Sequence, residues 1–453
     1  MRRFLFAHFK PTTTLVLSFA FLILSGTLLL ALPISNTTSV PLIDHLFTAT
    51  TSTCVTGLVT VVVADQYTVF GQFVVLALIQ LGGLGLMTVI SVILLFMHNK
   101  LELKERLLLK DALNKMDFSN ISSFIKGIIR FTLFFEGIGA LLLMLVFIPE
   151  YGLVKGIWYS IFISISAFCN AGIDNIGPLS LLPYQNNPIV VLTVACLIIF
   201  GGLGFTVWFD IKNNLGILYN FRKKLKKLRL KFQMHSKIVI YVTIGLLLSG
   251  TILIFLIEYN NSLAGLSFPS KVMNAFFQST TLRTAGFFTI DITIIHRITR
   301  LIMVIYMLIG GSPGGTAGGI KTTTFFLLCL MTITQIKKRD EMRTFKRHIP
   351  KSNFIGAFII FAGYLFAVLM AWLIMLCTEG FDPLDILFEI ASAIGTVGLT
   401  VGITPSLSFI GKCVIILLMF IGRVGPITIA YALGRKHKKD VELKYPNAEI
   451  IVG

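Results

Sequence analysis

Charged residues are scarce in this sequence. Only 13% of its 453 residues are Asp, Glu, Lys or Arg, whereas 55% are hydrophobic. A soluble protein of this length carries roughly twice that share of charge to cover its surface. The composition therefore excludes a water-soluble globular protein, and it predicts that most of the chain faces lipid or packs inside a bilayer.

The motifs of metal and cofactor chemistry are also missing. The six cysteines form no CxxC pair and no Cys/His cluster, so the sequence predicts neither a zinc site nor a disulfide framework. There is no Walker-type phosphate loop and no dinucleotide-binding glycine fingerprint. The longest polar gap, 212–237, is too short for a soluble domain. We therefore predict no catalytic residue, no cofactor in this chain and no enzyme activity.

Positive charge is present, and it is unevenly distributed. The net charge is +18, and 29 of the 39 Lys and Arg residues lie in the N-terminal segment, 98–120, 212–237, 334–352 and the tail from 434. Short basic loops mark the cytoplasmic side of a membrane protein. Both termini are therefore predicted to be cytoplasmic, and the charge does not predict a nucleic-acid partner. The opposite face is acidic overall, which suits a mouth that gathers cations.

Eight apolar runs have the length that a helix needs to cross a bilayer, about 20 residues. They lie at roughly 12–32, 68–97, 121–148, 188–211, 238–258, 298–333, 353–378 and 407–432. The first run follows a basic start, as a cleaved signal peptide would. It is long enough to span the membrane and no A-x-A site follows it, so we predict a retained helix.

Four shorter, semi-polar segments lie in alternate gaps between these runs, at 47–60, 162–177, 276–291 and 388–402. Each opens with an aromatic residue and has a small-residue or Ser/Thr stretch before a glycine, namely Gly57, Gly172, Gly286 and Gly398. A second glycine cluster follows each glycine after 24 to 29 residues. This register predicts four tandem repeats with boundaries at 1–98, 99–212, 213–335 and 336–453.

The predicted fold is an all-α integral membrane protein. Four repeats of helix, re-entrant pore helix and helix surround a pseudo-fourfold pore, which makes eight spanning helices and four pore helices. If the semi-polar segments crossed the membrane fully, there would be twelve crossings, and the basic segment 98–120 would lie outside. Their Ser, Thr and Asn content also argues against twelve crossings. An inverted-repeat transporter needs halves of opposite orientation, whereas these repeats are all parallel.

The four glycine segments have the composition of an ion filter. Dehydrating a cation requires a cage of oxygens, and irregular backbone at membrane depth is tolerated where it lines a watery cavity. Carbonyls point one way only if some residue takes a positive φ, which is cheap for glycine and costly for β-branched neighbours. One such glycine alone is more often a turn. Four in register predict a filter of Val55, Thr56, Gly57, Asn170, Ala171, Gly172, Thr284, Ala285, Gly286, Val397 and Gly398.

A known family shares these segments. The sequences CVTGL at 54–58, CNAGI at 169–173 and RTAGF at 283–287 resemble the Trk/Ktr/HKT superfamily of potassium transporters. The resemblance covers nearly the whole chain and is strongest to the bacterial Ktr pore subunit, of the KtrB or KtrD type. It implies potassium uptake across the bacterial plasma membrane, and Gly57 favours potassium over sodium. It places K⁺ at the filter carbonyls of Thr56, Ala171, Ala285 and Val397.

The resemblance also implies partners. It predicts a homodimer of pore subunits and a cytoplasmic nucleotide-binding ring of the KtrA or KtrC type, so that any nucleotide binds the partner and not this chain. It leaves open whether Na⁺ activates transport. The basic clusters do not decide whether such a ring docks here, because the positive-inside rule explains their sign by itself.

For several residues outside the predicted filter, two hypotheses about their role remain open. The resemblance implies that Gly310, Gly311, Gly314, Gly315, Gly318 and Gly319 form an intramembrane gate loop, whereas the bland alternative is a simple kink. Lys321 either orients this loop or snorkels to the interface. In the family, the residue matching Arg423 is a barrier to cations below the filter; its other role is to bond carbonyls of the broken helix. Asp174 is either a carboxylate of the outer mouth or a solvated loop charge.

Two other functional classes remain open from the residues alone. One is a sodium-coupled secondary transporter, and the other is a membrane subunit of a cation-pumping ATPase. Passive cation flux through the reconstituted chain would separate both from a pore.

Overall fold

The computed structural model describes most of the chain, namely residues 11–85, 121–221, 232–338, 341–426 and 428–429. The α-helices in these ranges are α1 (Pro11–Leu30), α2 (Leu42–Cys54), α3 (Val63–Gln66), α4 (Val69–Leu84), α5 (Ile121–Tyr151), α6 (Leu153–Cys169), α7 (Pro188–Gly202), α8 (Phe205–Phe221), α9 (Met234–Glu258), α10 (Phe268–Thr281), α11 (Arg297–Leu308), α12 (Thr322–Ile336), α13 (Lys351–Thr378), α14 (Pro383–Gly395) and α15 (Phe409–Val424). Single 3₁₀ turns lie at Pro33–Ser35, Leu182–Tyr184, Ile292–Ile294 and Thr404–Ser406, and a hairpin joins β1 (Arg343–Thr344) to β2 (Arg347–His348).

Among the residues that the structure describes, four helices are long and apolar enough to cross a bilayer. The spans are Thr13–Leu30, Ile125–Tyr151, Met234–Glu258 and Lys351–Thr378, within α1, α5, α9 and α13. Only 22–39% of the residues in these spans are buried inside the protein, so most of their apolar side chains face outward. An apolar surface of this extent is stable in lipid and not in water. The predicted multi-pass helical membrane protein is therefore confirmed.

The four semi-polar segments contain shorter helices at the centre of the protein. Helices α2, α6, α10 and α14 have 13 to 17 residues, so at 1.5 Å per residue each is about 20–25 Å long. That length is shorter than the hydrocarbon core of a bilayer, about 30 Å. Their C-terminal halves are almost fully buried. We call them pore helices below.

The helices pack in a closed ring. Each long outer helix lies against the pore helix that follows it, in the pairs α1–α2, α5–α6, α9–α10 and α13–α14. The helix after each filter segment packs on the next pore helix, in the pairs α4–α6, α7–α10 and α11–α14, and α15 returns to α2. Lys412 and Asp44 join the last pair by an ion pair of 2.6 Å between two largely buried side chains. The pore helices therefore surround a common centre.

The helices that follow the filter segments are shorter than predicted. The sequence predicts one continuous span over 188–211, but α7 ends at Gly202 and α8 leaves at 96°. The cause is a glycine at the break, because Gly204 takes a φ of +87° that ends a helix. The predicted span 298–333 is divided into α11 and α12 at the glycine-rich run, where the sequence predicts a break. The predicted span 68–97 continues beyond the described residues. The described ranges contain four spans by length, or five if the bent pair counts as one, so the full set of eight and the repeat boundaries stay predictions.

Candidate functional site

The four segment glycines, which lie more than 110 residues apart in sequence, meet at the centre of the ring. A Cβ atom built on Gly57 would lie 2.6 Å from the carbonyl oxygen of Ala171, and one on Gly286 would lie 2.7 Å from that of Val397. A Cβ on Gly172 would overlap the carbonyl oxygen of Ala285, and one on Gly398 would overlap that of Thr56. Each glycine thus lies beside the carbonyl of the residue that comes just before the glycine of another segment. The four contacts together close a ring. No side chain fits in this ring.

Each filter segment uses two left-handed residues, and only one of them is glycine. The glycines have φ of +101°, +66°, +88° and +94°. Two residues earlier, Val55, Asn170, Thr284 and Thr396 also have positive φ, between +52° and +69°. The sequence predicts positive φ at glycine alone, because β-branched residues resist it. The surrounding fold overrides that preference at three β-branched positions, each at a cost on the order of 1–3 kcal/mol.

A hydroxyl group near the end of each pore helix holds the filter backbone, which the sequence analysis did not predict. The Thr51 Oγ1 accepts a hydrogen bond of 2.9 Å from the N–H of Gly57, and the Ser392 Oγ accepts one of 3.0 Å from Gly398. Ser166 Oγ accepts from the N–H of Ile173 at 3.1 Å, and Thr281 Oγ1 donates to the carbonyl of Phe287 at 2.6 Å. A signal was available, because Thr51, Ser166 and Ser392 all lie six residues before a filter glycine.

Removing one of these hydroxyls is expected to loosen the filter. In Thr51→Val the N–H of Gly57 loses its partner, which costs about 1–3 kcal/mol in a buried site. We expect the ratio of potassium to sodium uptake to fall about fivefold or more, since even 1 kcal/mol corresponds to about fivefold in an equilibrium. The control is Thr50→Val, because the Thr50 hydroxyl bonds the carbonyl of Leu46 in its own helix. Equal uptake ratios in the two variants would contradict the role of Thr51.

An open cavity of about 360 Å³ lies on one side of the glycine ring. All four filter glycines line it, together with Asp174 and Asp291. The Asp174 Oδ1 accepts hydrogen bonds from the N–H groups of Ile176 and Gly177, at 3.3 and 3.4 Å. Burial raises the pKa of this carboxyl, which lies outside the spanning helices, to about 6, although the two N–H groups oppose the rise. The structure thus places Asp174 beside the filter glycines rather than in a remote loop.

Acidic external solution is expected to slow cation entry through this cavity. A carboxyl with a pKa raised to about 6 is mostly ionised at about pH 7.5 and mostly neutral at about pH 5. Its negative charge attracts cations only when ionised, so we expect uptake at low cation concentration to fall about twofold across this range. Asp174→Asn should show the lower rate at both pH values. The measurement is the initial rate of rubidium influx, and an unchanged pH profile in the variant would contradict the role of Asp174.

The glycine-rich run between α11 and α12 forms a compact loop, residues 309–321, with a closed neck. The Gly310 N–H donates to the carbonyl of Ile320 at 2.9 Å, and the Thr322 N–H donates to that of Gly311 at 3.0 Å. A Cβ on Gly310 would overlap the carbonyl oxygen of Gly318 across the neck. The run therefore does not form a kinked helix; it leaves the helix and returns to it.

This loop packs against the helical side of the filter, away from the cavity. Thr316 Oγ1 donates to the carbonyl of Phe168 in pore helix α6 at 3.2 Å. A Cβ on Gly318 would overlap the side chain of Thr396. The Ser312 N–H donates to the carbonyl of Gly202 at 2.9 Å, which ties the loop to the end of α7. Loop and filter are therefore in direct contact at two of the four segments.

Arg423 and Lys321 both bond the backbone around this loop. The Arg423 guanidinium donates to the carbonyl oxygens of Thr316 and Gly82, and to that of Gly83 at 3.1 Å. It thereby links α15, the loop and the end of α4. Lys321 Nζ donates to the carbonyl of Ala317 at 2.7 Å, so this side chain turns back onto the loop. Both side chains thus bond backbone carbonyls of the loop, and their roles in gating stay predictions.

The second glycine clusters share their register because they make the same packing contact. A Cβ at three of these glycines would overlap the carbonyl oxygen four residues before a filter glycine, in the pairs Gly82–Thr53, Gly201–Phe168 and Gly422–Ile394. Because glycine has no side chain, the helix that carries each cluster can approach the C-terminal end of a pore helix closely. The third cluster departs from this pattern, since Gly310 contacts its own loop. The four glycine segments are therefore alike at the ring, whereas the third glycine cluster differs from the other three.

Comparison with known proteins relates this chain to ion transporters. The TrkH family model, described as a cation transport protein, matches residues 5–443. The chain is 37% identical to the Ktr system potassium uptake protein B of Bacillus subtilis (strain 168) over 448 residues, covering 98% of this chain and 97% of that protein. It is 39% identical to the potassium/sodium uptake protein NtpJ of Enterococcus hirae over 452 residues, covering 98% and 97%.

A solved structure has the same fold. The crystal structure of the potassium transporter TrkH from Vibrio parahaemolyticus matches with a TM-score of 0.74, covering 93% of this chain and 84% of that chain at 18% identity. The family model and the two relatives confirm the resemblance stated from the glycine segments, and they place the chain among transporters rather than enzymes. This chain belongs to the TrkH family of cation transport proteins.

Proposed function

We propose that this protein takes up potassium ions across the bacterial plasma membrane through the ring of four filter glycines. The observation that carries the proposal is the closed ring itself, in which the carbonyls of Thr56, Ala171, Ala285 and Val397 each lie beside a glycine of another segment. These carbonyl oxygens replace the water around a K⁺ ion. The names of the similar uptake proteins in Bacillus subtilis and Enterococcus hirae both include potassium.

The surroundings of the ring favour a cation over an anion. Each pore helix ends three to five residues before its filter glycine, so its C-terminal partial negative charge lies close to the ring. The cavity on the open side contains the carboxylates of Asp174 and Asp291. Ions are therefore collected at an acidic mouth and dehydrated where helix dipoles and carbonyl oxygens converge.

The loop of residues 309–321 serves as the gate in this proposal. It contacts the filter from the helical side, and ions that leave the filter must pass it. Two positive side chains, Arg423 and Lys321, hold the loop through its carbonyls at 316 and 317. Opening requires these bonds to break or to move with the loop. Because the Arg423 bonds join α15 to the loop and to the end of α4, a movement of α15 is transmitted to the loop directly.

Control of the gate is proposed to come from outside the chain. A cytoplasmic nucleotide-binding ring of the KtrA or KtrC type would dock on the basic face and move these helices. Two copies of the pore chain would form a homodimer beneath it. Both termini lie in the cytoplasm in this proposal, and each of the four repeats contributes one filter segment. Nucleotide binds only the ring, and Na⁺ acts, if at all, as an activator.

The test is cation uptake by the chain in bacterial cells that lack other potassium uptake systems. We expect growth and rubidium influx at low external potassium, increased by a co-expressed regulatory ring. Reconstituted into vesicles without ATP or a sodium gradient, the chain should pass potassium down its own gradient. Flux that requires a sodium gradient would instead support a secondary transporter, and flux that requires ATP would support a pump subunit; either result contradicts the proposal.

Sodium is the second candidate ion. The filter neighbours differ among the segments, with Val55, Asn170, Thr284 and Thr396 at equivalent places, so the ring is not strictly fourfold. One relative is named a potassium/sodium uptake protein. Competition of sodium against rubidium influx decides between the two ions.

A further inference from the structure

A short hairpin projects from the basic side of the protein, between α12 and α13. Its strands pair Arg343 with His348 and Thr344 with Arg347. The two turn residues, Phe345 and Lys346, have φ of +48° and +61°. Two positive φ values at the centre of a two-residue turn give the tight hairpin that matches the twist of its strands. The turn therefore presents Phe345 and Lys346 in a fixed arrangement.

Phe345 fixes the hairpin to the end of outer helix α9. Its ring stacks on Tyr241 with centroids 5.9 Å apart and planes 14° from parallel. The Nζ atom of Lys237 lies 5.7 Å from the Phe345 ring centroid. Helix α9 begins at Met234, so these two α9 residues lie within about 10 Å of its basic end. Aromatic rings with flanking Lys and Arg at that depth are typical of the headgroup layer of a membrane.

The outward face of α9 leads directly to this hairpin. Tyr241 is 65% exposed, and the apolar residues that follow at helical spacing are also exposed, namely Ile244, Leu248, Ile252 and Leu256. This stripe runs along a helix long enough to cross the bilayer, so it is in contact with lipid acyl chains. A lipid whose chain lies on the stripe has its headgroup at Tyr241 and the hairpin.

The hairpin is basic on the side that this headgroup would reach. An open cleft of about 690 Å³ is lined by Glu341, Arg343, Lys346, Arg347 and His348. Glu341 is paired with Arg343. Lys346 and Arg347 are exposed and have no acidic partner within ion-pair distance in the described part of the chain. Two positive side chains are therefore available to a negative group.

We propose that this hairpin binds the phosphate headgroup of an anionic phospholipid on the basic side of the membrane. Lys346 and Arg347 donate hydrogen bonds to the phosphate oxygens, and the acyl chains lie on the α9 stripe below Tyr241. A membrane lipid is the occupant that the structure favours over a cytoplasmic protein. The reason is that the basic cleft is continuous with a lipid-facing stripe and stacked on an aromatic residue of that stripe.

The test is lipid binding by the purified full-length chain, measured by native mass spectrometry and by the thermal shift on adding lipid. Phosphatidylglycerol is the anionic probe and phosphatidylcholine the neutral one. We expect phosphatidylglycerol to bind more tightly to the natural chain. In Lys346→Gln with Arg347→Gln its affinity should fall by about 5-fold for each charge removed, since each is worth about 1 kcal/mol at a membrane surface. Soluble glycerol phosphate should give no shift.

Two controls separate lipid binding from general effects. Lys346→Arg with Arg347→Lys keeps both charges and should keep the preference for phosphatidylglycerol. Lys155→Gln removes an exposed charge on the opposite face and should have no effect. An unchanged phosphatidylglycerol preference in the double Gln variant overturns the proposal. The proposal is also overturned if the double Gln variant keeps its lipid binding but no longer binds a cytoplasmic regulatory protein. The melting temperature in phosphatidylcholine alone shows whether each variant is folded.

Discussion

Replacing Gly57 with serine is expected to abolish most of the preference for potassium over sodium. A serine Cβ would lie 2.6 Å from the carbonyl oxygen of Ala171, well inside van der Waals contact, at a residue whose φ is +101°. The strain of a non-glycine residue there is on the order of 1–3 kcal/mol. The steric contact and the backbone strain are both relieved if the carbonyl of Ala171 moves away from the ion. Because a free-energy change of about 1.4 kcal/mol alters an equilibrium constant tenfold, we expect the potassium-to-sodium uptake ratio to fall about tenfold or more.

The matched control for this variant is Gly137→Ser. Gly137 lies in outer helix α5, and a Cβ built there meets nothing within 4 Å. The same chemical change should therefore leave transport unchanged. Both variants are compared by the ratio of rubidium to sodium influx at equal amounts of protein in the membrane. If Gly57→Ser keeps the natural ratio, the glycine ring is not the selectivity filter, and the proposed function fails with it.

Replacing Arg423 with glutamine is expected to increase potassium flux in the absence of a regulatory partner. The guanidinium joins the loop at Thr316 to the end of α4 at Gly82 and Gly83. Hydrogen bonds from a charged donor contribute about 1.5–3 kcal/mol each, and glutamine restores at most one of them. The variant also removes a positive charge from the exit of a cation path. Both effects favour the open loop, and we expect about tenfold more passive flux from vesicles.

Two further variants make this result specific. Arg423→Lys keeps the charge but not the planar fork that reaches several carbonyls, so it should give an intermediate flux. Arg297→Gln removes an arginine of an exposed ion pair with Asp382 and should leave flux unchanged. Passive potassium flux is followed by a fluorescent indicator in vesicles that contain the purified chain. Equal flux in the natural chain and in Arg423→Gln would remove the support for gating by the loop.

The local pattern of the sequence was informative wherever one segment determines its own conformation. Low charge and long apolar runs predicted the outer helices, since a helix in lipid needs little beyond length and hydrophobicity. Both breaks, between α7 and α8 and between α11 and α12, fall at glycine runs. The second break was predicted, whereas the continuous span over 188–211 was predicted wrongly. A glycine costs only about 1 kcal/mol inside a helix, so a glycine pair does not by itself end one. At Gly204 a Cβ atom would lie 2.9 Å from the carbonyl oxygen of Pro313, and this contact with the loop exists only in the folded chain. The hydroxyls of Thr51, Ser166 and Ser392 had a common spacing that was not recognised.

By itself, the sequence determined that this chain lies in a membrane, that four glycine segments recur in one register, and that positive charge is concentrated in a few short segments. These properties depend on composition and spacing along the chain. Only the tertiary structure brought the carbonyls of one segment against the glycine of another and forced β-branched residues into left-handed backbone. It alone placed Arg423 on carbonyls more than 100 residues away and stacked Phe345 on Tyr241. Such contacts join residues that are distant in sequence, and packing of the whole ring decides them.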